Sequence, residues 1–301
     1  MSKDDVARLP DAGASAAAMI ESMPNMLGAA AFRRSVDAIV AARLADRPVA
    51  MAMGAHVVKV GCSPIVIDLM NRGVVRAIAG HNALAIHDAE VAMFGQTSEE
   101  VADTIRDGSF GMVEETMSFF SEATALAAER RAGFGETVGQ MLVERNAPNA
   151  EHSLFAQAYQ LGIPATVHVS LGTDTVHMAG NADGAAYGAA SMHDFRLICA
   201  VVADLGADSE GQAGGVWMNV GSAVNLPEVF LKAVSVARNI GTNLDAMTTV
   251  NFDMINHYRP HQNVVTRPVS KGNGHSVTGH HEILLPLLRQ AVIERLAVEG
   301  E

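Results

Sequence analysis

The sequence predicts an α/β protein built on a doubly wound parallel sheet, covered by helices on both faces. Three observations carry this expectation. Short apolar runs alternate with longer segments whose apolar residues recur at helical spacing. The runs end in small polar residues, at Gly54-Ala55-His56, Gly80-His81-Asn82, Gly172-Thr173-Asp174, Gly221-Ser222-Ala223 and Asn251-Phe252-Asp253. No Pro/Ser/Gly-rich linker interrupts the pattern, so a helical arm over 1–47 is expected to lead into one domain over 48–301.

Residues 1–15 read as a loose arm, and Ala16–Ala45 as two helices split near Pro24 and Asn25 that cover a sheet face. The stretch Pro48–Glu90 organises the rest. Val49–Met53 is an apolar strand ending at Gly54. Ser63 and Pro64 open a helix carrying Ile65, Ile67, Leu69 and Met70, and Gly73 closes it. Val74–Ala79 is a second buried strand. Ser98-Glu99-Glu100 start a helix with acidic residues in its first turn, where they suit the helix dipole. Asp107–Gly111 is a turn, followed by helices at Met112–Arg131 and Gly135–Arg145 and a turn at Asn146–Asn149. A helix over Glu151–Leu161 leads to a third strand at Ala165–Val169. Asn181–Gly188 reads as loop, Asp194–Leu205 as helix and Ala207–Gly215 as loop. Val216–Val220 is a fourth strand, Val224–Ile240 a helix and Ala246–Val250 a fifth strand. A His/Asn/Gly-rich segment runs from Asn256 to His281, and Glu282–Val298 is a closing amphipathic helix.

The formal net charge of −12 argues against nucleic acid and anionic membranes as partners, since both need basic patches. It suits cationic small molecules such as polyamines. Cys62 and Cys199 lie in apolar segments and read as buried small hydrophobes of a reducing compartment. The polar start lacks the apolar core of a signal peptide and no apolar run reaches membrane-spanning length, so a cytoplasmic location is expected. The 16 methionines and Trp217 read most simply as core.

In an open parallel sheet the turns at the carboxyl ends of strands build the ligand site, which draws attention to His56, His81, Asn82, His87 and Asp88. Neither G-x-G-x-x-G nor G-x-x-x-x-G-K-[ST] occurs, which disfavours a conventional dehydrogenase or kinase. Of the 12 histidines, His81, His87, His257, His261, His275, His280 and His281 fall in polar turns. They suit acid/base work near neutral pH or metal ligation. No H-E-x-x-H is present, His280-His281-Glu282 diverge as neighbours, and for any one histidine a surface or supporting role is the plainer reading.

The order of these junctions resembles the deoxyhypusine synthase and homospermidine synthase family from about residue 48 to 295. The matching features are Gly54-Ala55-His56, then His81-Asn82-Ala83 with His87-Asp88, then Ile163-Pro164 with Gly172-Thr173-Asp174. Gly221-Ser222-Ala223, Phe252-Asp253, Arg259-Pro260 and Pro286-Leu287-Leu288 follow in the same order. The resemblance implies a Rossmann-like fold of the deoxyhypusine-synthase type with extra helices, a homotetramer, and NAD as cofactor. It implies NAD contacts at Gly54, His56, Asn82, Gly172, Thr173, Asp174, Gly221, Ser222 and Asp253. The substrate would be a small amine, oxidised transiently at a C–N centre in a net transfer, elimination or hydrolysis. His87 and Asp88 would bind or deprotonate it, with His261 or His281 as a second acid/base and no metal ligands. The family's catalytic lysine has no match: the segment reads Val265-Thr266-Arg267-Pro268, with Lys271 in a different context. Nor is the family's substrate-binding histidine found at Asn225-Leu226-Pro227-Glu228, so lysine-borne butylamine transfer is not expected. Two other readings stand beside this one: a metal-dependent hydrolase using residues 256–281, and a noncatalytic nucleotide-binding sensor.

Overall fold

A computed structural model describes residues 2–97, 101–206 and 213–300. Its strands are β1 (Val49–Met53), β2 (Val75–His81), β3 (Ala165–His168), β4 (Val216–Val220), β5 (Thr248–Asp253) and β6 (Gly274–Thr278). They form one sheet in the order β3-β2-β1-β4-β5-β6, and every pair is parallel. The chain therefore winds outward in both directions from β1 and β4, and the order reverses between those two strands.

The helices are α1 (Ala16–Ser22), α2 (Leu27–Leu44), α3 (His56–Lys59), α4 (Ser63–Asn71), α5 (Asn82–Phe94), α6 (Val101–Asp107), α7 (Glu114–Arg130), α8 (Phe134–Glu144), α9 (Leu154–Leu161), α10 (Gly184–Asp204), α11 (Asn225–Asn239), α12 (Tyr258–Pro260) and α13 (His281–Glu299). Strand residues alternate between the two faces, as the pleat requires. Val49, Met51 and Met53 join a core with Phe32 and Ile39 of α2, Leu84 of α5 and Leu285 of α13. Ala50 and Ala52 face the other way, toward Ile198 of α10 and Phe230 of α11. The small side chains there leave room for Trp217, which pairs with Ala50 and stacks on Phe230 at a centroid distance of 4.3 Å.

The N-terminal helices belong to this packing. Phe32 stacks on Phe252 of β5, and Glu294 of α13 accepts hydrogen bonds from the backbone N–H groups at the start of α1. Arg76, the one charge in the second apolar run, is skipped by a bulge where the β1–β2 register shifts, and it pairs with Asp46. Cys62 and Cys199 are buried free thiols. Among the described residues no helix is long and apolar enough to cross a membrane.

Several expected boundaries move. β2 continues through Gly80 and His81, and α5 begins at once with Asn82, so the expected turn is a strand-to-helix junction capped by the His81 ring. His87 and Asp88 consequently lie on a helix. Asn251-Phe252-Asp253 form the second half of β5 rather than a turn. α10 begins ten residues before Asp194, at Gly184. The segment read as a single His-rich loop holds α12, a π-helical turn His261–Thr266 and the edge strand β6. Ser98-Glu99-Glu100 and residues 207–212 lie outside the described residues.

Candidate functional site

At the switch point between β1 and β4, Gly54 donates its N–H to the Val220 carbonyl and sits so tightly that a Cβ there would run into the Gly221 carbonyl oxygen. Gly221, at φ +65°, lies under the ring of His281; a Cβ on it would stand 2.7 Å from His281 Cε1. These two glycines are needed to let the turns close on one another. His281, at the start of α13 and 0% exposed, places Nε2 3.3 Å from the Phe252 carbonyl oxygen and Nδ1 3.0 Å from His56 Nδ1. Burial pulls the His281 pKa below the ordinary imidazole value, opposed by the Phe252 carbonyl and by Asp253. The Ser222 hydroxyl accepts the Leu226 N–H in the first turn of α11, while Asp253 accepts the Met254 N–H at 2.7 Å.

One strand outward, the ends of β2 and β3 carry a buried polar cluster. His81 and His168 are register partners. Burial, with His81 alongside, pushes the His168 pKa down to about 3, and burial also lowers His81 and His177. His177 Nδ1 accepts N–H bonds from Gly172 and Asp174, so its Nε2 carries the proton. That nitrogen faces the Asn82 side chain at 3.5 Å; turning Oδ1, otherwise unpartnered, toward it satisfies both groups. Tyr187 packs edge-on against His177, and burial with nearby Asp174 pushes its hydroxyl up to about 12.

An open cleft of about 520 Å³ adjoins this cluster. It is walled by Ala83, Ile86, His87 and Glu90 of α5, Thr97, Lys59 of α3, Glu115 and Thr116 of α7, and Thr173-Asp174-Thr175. Among the described residues its walls carry the carboxylates of Glu90, Glu115 and Asp174 against the single cation of Lys59. Within it runs a short relay. Thr97 Oγ1 donates to Glu90 Oε2 at 2.5 Å and lies 2.6 Å from His87 Nδ1, which must then be the donor in that bond. His87 is left with Nε2 as the nitrogen able to accept a proton. Burial raises the Glu90 pKa, but the neighbouring His87 ring and hydrogen bonds from the Thr97 and Thr116 hydroxyls outweigh it and hold the carboxyl below its usual range.

The expected site residues thus fall into separate places. His87, Thr173 and Asp174 line the cleft. Gly54, His56, Gly221, Ser222, Asp253 and His281 gather at the switch point, while Asn82 is buried between the two regions and Gly172 borders the cleft's Thr173 turn. Asp88 does not fit the role of binding an amine. It is fully buried on the side of α5 away from the cleft, where it accepts hydrogen bonds from Ser153 Oγ at 2.5 Å, Leu154 N at 2.7 Å and Phe155 N at 3.2 Å and caps α9. His261 is an exposed residue opening the π-helical turn. Nor do the histidines of 256–281 converge: His275 is buried on β6, His280 is exposed beside Glu282, and His281 joins His56. Among the described residues no group of three or more His, Cys, Asp or Glu is placed to hold a metal ion.

Glu90, Thr97 and Lys59 were not singled out in the sequence. A helix over 82–94 would have exposed the first, because His87 and Glu90 are three apart on one helical face.

A family model for the C-terminal Rossmann-fold domain of ArgZ-like arginine dihydrolases matches residues 35–112, which run from the middle of α2 through α6 and include the relay. Solved structures extend the likeness to the whole chain. A conserved LOR/SDH protein from Methanococcus maripaludis S2 is 14% identical, with a TM-score of 0.51 over 98% of this chain and 74% of that one. A protein assigned as a deoxyhypusine synthase from Entamoeba histolytica is 13% identical, with a TM-score of 0.53 over 94% of each chain. The chain has the Rossmann-like fold of these proteins. AgrE, solved in a ternary complex with ornithine and NAD⁺, shares it at 14% identity and a TM-score of 0.52, over 89% of this chain. The chain spans only 33% of that AgrE chain and 31% of ArgZ, an arginine dihydrolase from Cyanobacteria. Among curated proteins none matches in sequence. The deoxyhypusine-synthase type of fold expected from the order of strand ends is the fold observed.

This fold class binds nucleotides where small residues let backbone approach a phosphate and acidic side chains accept from ribose hydroxyls. Gly54 and Gly221 are occupied by each other and by His281. Gly172, at φ +88°, has open space where a Cβ would stand, and it leads into Thr173 and Asp174 on the cleft wall. The cleft wall on the β2–β3 side of the switch point thus offers a reachable glycine and an acidic side chain, the residue types such a site uses.

Proposed function

We propose that this chain is an NAD-dependent enzyme acting on a small amine-containing metabolite by transient oxidation at a C–N centre, with net transfer, elimination or hydrolysis. The observation that carries the reading is the cleft at the carboxyl ends of β2 and β3: three carboxylates, a line of hydroxyls and a histidine in a fixed tautomer, set in a Rossmann-like fold. Gly172, Thr173, Asp174 and Asn82 would hold NAD, with Gly54, Gly221 and Ser222 shaping the wall behind it. Held there, NAD would supply a two-electron hydride acceptor and donor for the amine-bearing carbon.

The protein's own part is binding and proton handling. Glu115, Glu90 and Asp174 attract a cationic amine, in keeping with the chain's net charge of −12. His87 Nε2 takes the ammonium proton and leaves the neutral amine that oxidation requires, while Thr97 and Glu90 hold the ring from behind. Homotetrameric assembly belongs to the same proposal and follows from the resemblance.

The test is turnover. Purified protein with NAD and a panel of aliphatic diamines, guanidines and basic amino acids should give amine-dependent absorbance of reduced NAD or a product of altered mass. Carboxylic acids of equal size lacking an amine should give neither. Turnover of the acids and none of the amines would reverse the assignment.

A further inference from the structure

The contact between His56 and His281 admits one arrangement of protons. The Phe252 carbonyl can only accept, so His281 Nε2, 3.3 Å away, carries hydrogen. Burial pulls the His281 pKa below the ordinary imidazole value, which favours the neutral ring, and a neutral ring with hydrogen on Nε2 has its lone pair on Nδ1. His56 Nδ1, 3.0 Å from that lone pair, must donate. A chain of defined polarity results, from His56 Nδ1–H to His281 Nδ1 and from His281 Nε2–H to the Phe252 carbonyl. We propose that His281 is a positioning residue, locking His56 in the Nδ1–H tautomer so that His56 Nε2 is presented as a proton acceptor at the crevice between β1 and β4.

Three features support this division of labour. His281 is 0% exposed, whereas His56 is only partly buried, so one ring can orient and the other can meet a ligand. The crevice is the topological switch point, where ligands bind in open parallel sheets. His56 and Lys59 lie three apart on the single turn of α3, hence on one face, and Lys59 lines the large cleft. His56 thus lies about one helical turn, roughly 5 Å, along α3 from a residue of the cleft wall. The ligand chemistry is a protonated amine or a hydroxyl. Its proton passes to His56 Nε2, giving the neutral amine or alkoxide and an imidazolium whose Nδ1–H bond to His281 is unchanged. Groups around the pair that tune it are Asp253 and Glu282, both favouring charge on His281, against His56 itself.

The inference rests on the reading of the cleft as an amine site, but its decisive test does not. Two-bond ¹⁵N–¹H correlation spectra of the full chain with ¹⁵N-labelled histidine report the tautomer of each ring, assigned by the signals lost in His56→Gln and His281→Phe. The expected wild-type pattern is hydrogen on Nδ1 of His56 and on Nε2 of His281. In His281→Phe, which keeps a ring but removes the acceptor, His56 should revert to the Nε2–H form that free imidazoles prefer. An Nε2–H or mixed His56 in the wild type, or an unchanged His56 in His281→Phe, overturns the proposal. If that variant does not fold, the wild-type spectrum decides alone. In the amine assay His56→Gln should lower turnover about 100-fold, the usual reach of a general base; unaltered turnover would remove the acceptor role. Absence of any turnover in the wild type would fail the amine reading, while the tautomers would still report on the positioning.

Discussion

Replacing Asp88 by alanine is expected to cost the fold about 3–5 kcal/mol, the scale for removing a buried group whose hydrogen-bond partners stay behind. Three donors would be orphaned together: the Ser153 hydroxyl and the N–H groups of Leu154 and Phe155. With them goes the tie between α5 and α9. The urea midpoint measures this, and a loss below about 1 kcal/mol would mean that water replaces the carboxylate, as at an exposed cap. Asp88→Asn adds a pH signature. Burial pushes the native Asp88 pKa up to about 6 against the hydrogen bonds that lower it. The folded value thus lies above the unfolded one. The group's contribution is complete below the unfolded pKa and is lost as pH rises through about 6. Asparagine does not titrate. The stability advantage of wild type over Asp88→Asn should therefore shrink between about pH 4 and 8. The loss should reach up to about 3 kcal/mol, because the folded and unfolded pKa values stand roughly two pH units apart. An advantage that grows with pH would show that the hydrogen bonds, not burial, dominate.

His87→Asn should lower amine turnover by about 100- to 10,000-fold with little change in KM, because the ring acts on a proton more than it binds. Thr97→Val should do less, about tenfold, since it removes the link that fixes the ring but leaves Nε2 in place. Glu90→Gln should resemble Thr97→Val. Steady-state kinetics on the best substrate of the panel checks all three. A His87→Asn enzyme as fast as wild type would take His87 out of the chemistry. Equal losses in kcat/KM carried wholly by KM would make the relay a binding device.

Much of the scaffold was legible because strand ends are local chemistry. Val49–Met53 and Val216–Val220 are apolar runs stopped by glycine, and the structure begins and ends them at those residues. The failures are where locality fails. α5 buries a stripe of Leu84, Ala85, Asp88, Ala89 and Ala92, but it puts the acid Asp88 inside that stripe and the apolar Met93 and Phe94 outside it, so it shows no amphipathic period. β6, Gly-His-Ser-Val-Thr, is an edge strand whose register partners lie 25 positions back, and Val277 is its one apolar residue. The site suffered from the same cause. His87 was visible as a histidine near a strand end, but without the helix its link to Glu90 was not. Asp88 entered the site because it follows that histidine where the resemblance expects acidic residues; only packing reveals that it faces α9. Conversely the pairing of His56 with His281, 225 positions apart, depends wholly on tertiary structure.

The central claim is that the cleft and its glycine turn hold NAD. Mass spectrometry of small molecules released on denaturing gently purified protein tests it most directly, with the melting temperature in added NAD as a companion, since a ligand of the native state must raise it. The account predicts NAD or NADH in the released fraction, or a rise in melting temperature that saturates with NAD and is lost in Asp174→Ala. Protein that carries no nucleotide and melts at the same temperature with and without NAD would contradict it, leaving the fold without the cofactor.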